Sequence, residues 1–198
     1  NGFTEQTAIA MYIPNTYEFY WNTTAEEFRS RMLTEYNRFW NADRLAKAKK
    51  QQLTPLEVMT LASIVQKETA LVVERPVVAQ LYLNRLNSGW PLQADPTIIF
   101  AINQHRTEKM VIRRVLNKDL QIVSPYNTYR NAGLPPGPIG MPDISSIEGV
   151  LNPTKHNYYY MCASIDEPGK HEFAATLSQH NRNAAKYQSW LNKQGIRR

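Results

Sequence analysis

A single cysteine, Cys162, in a chain of 198 residues rules out an internal disulfide framework and any zinc site built on several cysteines. Glycine is sparse too. The eight glycines fall into neither a GxGxxG nor a GxxxxGK pattern, which removes the usual phosphate-cradling loops. No apolar run approaches the roughly 18 residues that a membrane-spanning helix needs. The four histidines, His105, His156, His171 and His180, are not spaced as metal ligands, and no HExxH occurs. Ser63 and Ser178 lie outside any nucleophile-elbow motif. Nucleotide, metal and serine-nucleophile chemistries all lose ground, and no cofactor is expected.

What is present is ordinary globular material, 42% hydrophobic and 20% charged, long enough to bury a sizeable core. The net charge of +6 favours a polyanionic or carboxylate-rich partner such as nucleic acid, an anionic lipid surface or an acidic cell-wall polymer. The densest basic run, Arg44 to Lys50, is Ala-rich and reads as a solvated helix rather than a binding patch. No zinc-finger or RNA-binding aromatic signature appears, so nucleic acid is permitted by charge and not argued for. The chain begins at Asn1-Gly2-Phe3 without an initiator methionine, and is read as a segment of a longer protein.

Local signals place the elements. Thr7 to Tyr20 is expected to be an extended, aromatic-rich stretch. Thr24 with Glu27 makes a capping box for a helix carrying Phe28, Met32, Tyr36 and Phe39 on one stripe. A second helix is expected over Asp43 to Gln52. Thr54-Pro55-Leu56-Glu57 combines a capping threonine, a first-turn proline and the matching glutamate, starting a helix to about Thr69. Helices over Glu74 to Leu86 and from Asp95-Pro96 follow. Between Gln104 and Asn152 the chain is a long ordered loop; seven of the twelve prolines fall between Pro125 and Pro168, and one short helix is expected at Ile144 to Leu151. Tyr158 to Ala163 and His171 to Phe173 read as paired strands, and Leu177 to Lys193 as a final amphipathic helix. The fold class is α+β: helix-rich, with a long Pro-rich loop region and a small antiparallel hairpin.

Carboxylates remain as carriers of chemistry. Glu68 lies at +7, +4 and +3 from Leu61, Ile64 and Val65, and so extends the apolar face of its helix. A desolvated carboxylate holds its proton near neutral pH, as a general acid must. Alternatively Glu68 swings to solvent, or pairs with Arg75 or Arg85. Asp95 reads as a second acid or as a helix cap. Gln93, Asn127, Thr128 and Tyr129 are neutral hydrogen-bonding groups in or beside aromatic loops, suited to a sugar-lined groove and equally to loop self-capping. Cys162 reads as a buried, inert thiol.

The motif Ala62-Ser63-Ile64-Val65-Gln66-Lys67-Glu68-Thr69 resembles that of the endolytic murein transglycosylases, the YceG-like family. So do Leu92-Gln93-Ala94-Asp95-Pro96-Thr97, the stretch Tyr126-Asn127-Thr128-Tyr129 with Gly133-Leu134-Pro135-Pro136-Gly137-Pro138-Ile139, and the closing His171-Glu172-Phe173 and His180-Asn181, all in family order. The resemblance implies an opening segment over 1–22 and a lytic transglycosylase-like catalytic domain over 23–198. That domain would be a lyase cutting between N-acetylmuramic acid and N-acetylglucosamine within peptidoglycan strands to leave 1,6-anhydro ends. Glu68 would be its general acid and base. Gln93, Asp95, Thr97, Asn127, Thr128, Tyr129, His171, His180 and Asn181 would bind substrate. Gln66 departs from the family, which has glutamate at that position. The resemblance further implies a membrane anchor and a LysM-like module upstream of this segment, a place on the periplasmic face of a bacterial inner membrane, and peptidoglycan synthases as partners. The alternatives are a muramidase-type hydrolase, with Asp95 or Glu74 as second acid, and a non-catalytic peptidoglycan-binding domain.

Overall fold

The structure, a computed structural model, describes residues 2–104, 106–112 and 114–194, so that His105 lies outside the described residues. Seven α-helices are described: α1 (Ala25–Phe39), α2 (Ala42–Lys50), α3 (Pro55–Glu68), α4 (Arg75–Asn87), α5 (Asp95–Asn103), α6 (Ile144–Leu151) and α7 (Leu177–Lys193). Two short strands, β1 (Tyr160–Ala163) and β2 (His171–Ala174), pair antiparallel, with Tyr160 opposite Ala174. The α+β expectation stands. No helix among the described residues is long and apolar enough to cross a membrane.

The helix starts follow from the capping chemistry. Both capping boxes form: Thr24 accepts from the Glu27 amide and Thr54 from the Glu57 amide, while each glutamate reaches back to its threonine. The centre of the molecule is α3, whose residues from Val58 to Val65 are all buried. Packed on it are α4 and α6. Gly149 makes the α4–α6 approach close, since a Cβ there would sit 3.3 Å from the backbone and Cβ of Arg75. The Pro-rich loop is pinned to the same core by the Ile139 amide, which donates to Ser63 Oγ at 3.0 Å. The hairpin and α7 pack together at the periphery.

Two expectations are corrected. The opening stretch is not wholly extended: Ala8–Met11 forms a 3-10 turn, started by the Ala10 amide on the Thr7 carbonyl at 2.9 Å, which buries Ala10 and Met11. The first strand begins at Tyr160 rather than Tyr158, because the Tyr158 amide is taken by His156 Nδ1 at 3.0 Å.

Candidate active site

Glu68 is the last residue of α3, where the helix presents its negative end and a carboxylate is disfavoured. Its neighbours one and two turns back, Leu61, Ile64 and Val65, are fully buried. The side chain leaves this dry wall only partly open to solvent. Burial pushes its carboxyl up to about 7, opposed by the Tyr82 hydroxyl and by His171, reinforced by Asp95, and opposed again by Arg85. The expected alternatives do not occur: Arg75 instead pairs with Asp143, and Arg85 donates to the carbonyls of Tyr159 (2.8 Å) and Leu92. Glu68 accepts a hydrogen bond at Oε1 from the Tyr82 hydroxyl at 2.6 Å.

The groups around this carboxyl come from separate parts of the chain. Tyr82 and Arg85 lie one turn apart on α4 and are both buried. Asp95 opens α5. The helix cap proper is Ala94, and no side chain caps the α5 terminus. The capping role expected for Asp95 is thereby corrected: its exposed carboxylate instead accepts from the Tyr129 hydroxyl at 2.5 Å. Burial first, and then this bond, hold the Tyr129 phenol far above its ordinary range.

Beside them Gln93 has φ 51, a left-handed backbone that glutamine seldom adopts; its amide donates to the Thr128 carbonyl at 3.0 Å and its side chain is exposed. Strain of this kind at a loop corner concentrates at functional positions.

Other expected binding residues are placed differently. Asn127 is fully buried; its amide donates to the carbonyls of Leu120 (2.9 Å) and Ile122 (2.8 Å), and its Oδ1 accepts from the Tyr129 amide (2.9 Å). Thr128 Oγ1 accepts from the Ala94 amide at 3.0 Å and lies 2.8 Å from Thr97 Oγ1, with both threonines buried. Thr97 and Thr128 tie the start of α5, where Gln93 and Asp95 lie, to the loop that carries Tyr129, and Asn127 braces that loop from within. All three side chains are buried and hydrogen-bonded within the protein.

On β2, His171 is gripped by Glu74. His180, on α7, stacks on Tyr160 with ring centres 5.3 Å apart, and Asn181 beside it is exposed. Cys162 is half-buried rather than buried, with its thiol raised by burial and by Glu172.

Sequence reasoning did not find Tyr82. A tyrosine within Leu81-Tyr82-Leu83 reads as core, and only its pairing across helices shows its second use. One hollow on the surface is lined by Glu18, Phe19, Tyr20 and Arg31. Among the described residues no cluster of three or more His, Cys, Asp or Glu is placed to hold a metal.

Comparison with known proteins gives one consistent likeness. The family model described as "YceG-like family" matches residues 3–186. The chain is 36% identical over 181 residues to the endolytic murein transglycosylase of Bacillus subtilis, covering 91% of this chain and 48% of that protein. It is 34% identical over 174 residues to the Streptococcus pneumoniae protein of the same name, covering 88% of this chain and 31% of that one. A crystal structure of a yceG-like protein from Listeria monocytogenes superposes with a TM-score of 0.72 at 35% identity, over 87% of this chain and 54% of that one. The chain therefore spans about half or less of the length of these relatives.

Proposed function

The chain belongs to the YceG-like family, and we propose that it is the catalytic portion of a peptidoglycan lytic transglycosylase with Glu68 as general acid and then general base. The observation that carries this reading is the Glu68 carboxyl itself, set in an apolar wall, held at Oε1 by Tyr82 and poised near 7. A group poised there exists in both protonation states near neutral pH, as the two halves of the reaction require.

The protonated Glu68 donates to the glycosidic oxygen as the bond from the anomeric carbon of N-acetylmuramic acid breaks, and the departing N-acetylglucosamine leaves as an alcohol. The C6 hydroxyl of the same muramic residue then attacks the anomeric carbon and returns its proton to Glu68. One bond to that carbon breaks and one forms; the 1,6-anhydro end results and no water is consumed. A single carboxyl suffices because the nucleophile is internal, whereas hydrolases usually pair two. In this reading exposed Gln93 and the hydrogen-bonded Asp95–Tyr129 pair hold sugar hydroxyls. The setting proposed with this activity is the periplasmic face of an inner membrane, with an anchor outside this segment and peptidoglycan synthases as partners.

The hydrolytic alternative would use Asp95 as second carboxylate, since that group lies within electrostatic reach of Glu68. Mass spectrometry of purified murein digested by the protein separates the two. The lyase leaves anhydro-muramic ends, each lighter by one water than the reducing ends of a hydrolase; reducing ends throughout would overturn the proposal.

Gln66, the departure from the family motif, has a different task. Its Oε1 accepts from the Asp143 amide and lies 3.4 Å from Ser146 Oγ at the start of α6. Glutamate offers the same acceptor there. Gln66→Glu is expected to change the murein cleavage rate by no more than about threefold, because the acceptor for the Asp143 amide is kept; a loss of a hundredfold would place position 66 in the chemistry.

A further inference from the structure

The two oxygens of the Glu68 carboxyl have different surroundings. Oε1 accepts from the Tyr82 hydroxyl at 2.6 Å, and among the described residues Oε2 has no hydrogen-bond partner. Tyr82 lies on α4 between Leu81 and Leu83, and all three are buried. Its hydroxyl makes no other hydrogen bond among the described residues. Burial first, and then the charge of Glu68 and the bond to it, raise the phenol well above its ordinary value of 10. Tyr82 therefore keeps its proton throughout the neutral range and acts on Glu68 as a donor alone. Glu68 can accept that bond in either of its states. An ionised carboxylate accepts at both oxygens, and a carboxyl protonated on Oε2 still offers Oε1 as a carbonyl.

We propose that Tyr82 is a positioning residue for Glu68: its hydroxyl holds Oε1 through both halves of the reaction, so that the proton leaves and returns through Oε2 alone. The purpose rests on the transglycosylase reading; the bond and its effect on the proton affinity of Glu68 do not. A carboxyl held at one oxygen cannot turn to exchange the two, so the reactive oxygen is aimed beforehand and need not reorganise as the proton moves. A hydrogen bond to an ionised acceptor is stronger than one to a neutral acceptor, so the same hydroxyl favours the carboxylate over the acid. It offsets part of what burial does, and is the strongest of the influences that bring the carboxyl back to about 7. Without it Glu68 would be a weaker acid, slower to give up its proton.

The other groups bearing on Glu68 are Arg85 from α4, Asp95 from α5, His171 from β2 and Tyr129 from the loop. From α6, Asp143 is committed to Arg75. None of them hydrogen-bonds Glu68, so Tyr82→Phe removes the one bond and leaves the rest in place. Phenylalanine also keeps the ring that packs between Leu81 and Leu83.

The test is a direct titration of Glu68 by carbon NMR of side-chain carboxyls, with its signal identified by loss in Glu68→Gln. In the parent the midpoint is expected near 7. In Tyr82→Phe it should rise by about one pH unit, the difference between a bond to a charged and to a neutral acceptor. Site-specific replacement of Tyr82 by a ring-fluorinated tyrosine gives a stronger donor of nearly the same shape and should lower the midpoint, which also covers failure of the phenylalanine variant to fold. The Tyr82 hydroxyl proton of the parent should stay far downfield on both sides of the midpoint. On murein the alkaline limb of the kcat/KM profile should follow the midpoint in each variant. On the acid side kcat should fall about threefold in Tyr82→Phe with KM unchanged, because a buried tyrosine acts through Glu68 and not on the sugar. A purely structural tyrosine would lower activity without moving the limb. An unmoved midpoint in Tyr82→Phe, shifts of the same sign in both variants, or loss of the hydroxyl signal on the acid side would overturn the proposal. Midpoints that move as expected in a protein that never cleaves murein would remove the transglycosylase reading and leave the action of Tyr82 on Glu68 standing.

Discussion

Glu68→Gln is expected to lose cleavage of purified murein by about 10²–10⁴-fold, the usual contribution of a positioned acid–base group, or more if both steps depend on it. The same substitution is expected to make the protein more stable, and only at higher pH. In the unfolded chain this carboxyl has its ordinary value of 4.5; in the folded protein burial raises it to about 7. Below both values the group is protonated in either state and nothing is lost. As pH rises from 4.5 through 7 the unfolded chain releases its proton first, so the folded state is progressively disfavoured.

Above 7 the penalty is complete, up to about 3 kcal/mol from that displacement, and less because the residue is only partly buried. Glutamine is neutral throughout and keeps an acceptor for Tyr82. Denaturant titrations of parent and variant at pH 5 and pH 8 should show the gain at pH 8 and little at pH 5. Equal stability differences at the two pH values would mean that the carboxyl is not held in a desolvated wall, and full activity in the variant would remove it from the chemistry. Loss of activity joined to gain of stability is the pattern of a group kept for function against its solvation.

Glu68 was legible from sequence because helical periodicity fixes which side chains share a face, and Leu61, Ile64 and Val65 define that face without any knowledge of neighbours. The capped helix starts at Thr24 and Thr54 were legible for a similar reason: threonine and glutamate three residues apart satisfy each other locally. What surrounds Glu68 was not legible. Tyr82 reaches it from 14 residues away and Glu74 reaches His171 across 97, and neither pairing leaves a periodic trace. Asn127 and Thr128 show the converse ambiguity. An amide or hydroxyl in a loop satisfies a ligand or its own backbone equally well, and only their burial shows that the backbone takes them. Asp95 was ambiguous in the same way between capping α5 and facing Tyr129, and a hydroxyl 34 residues away decided it.

Asp143→Ala is expected to produce the largest loss of stability among these substitutions, because one short side chain both caps α6 and pairs with a buried arginine of α4. Its Oδ1 accepts from the Ser146 amide at 2.8 Å and caps α6. Both its oxygens lie 2.7 Å from Arg75 Nη1 on α4, while the bond from its backbone amide to Gln66 on α3 is kept in the variant. The Arg75 side chain is only 7% exposed, so alanine would strand a guanidinium in the interior. Breaking a fully buried pair in this way costs about 3–5 kcal/mol, but the Asp143 side chain is 44% exposed and water can partly replace it. Adding about 1 kcal/mol for the lost cap, the total expected is about 2–3 kcal/mol, or a fall in Tm of about 5–10 °C for a chain of this size.

The pH dependence separates this origin from simple loss of packing. Burial would raise the Asp143 carboxyl, but the Ser146 amide, Arg75, and the hydroxyls of Ser145 and Ser146 together hold it below its ordinary 3.8. Its contribution is therefore complete above that value and lost as pH falls through the lower folded one, so parent and variant should converge in strong acid. Asp143→Asn keeps the cap and drops the charge, and should lie between them. Urea unfolding at pH 7 and pH 3 measures all three. A difference below about 0.5 kcal/mol at pH 7, the range of an ordinary surface change, would mean that the pair with Arg75 adds nothing to the packing of α6 on α4.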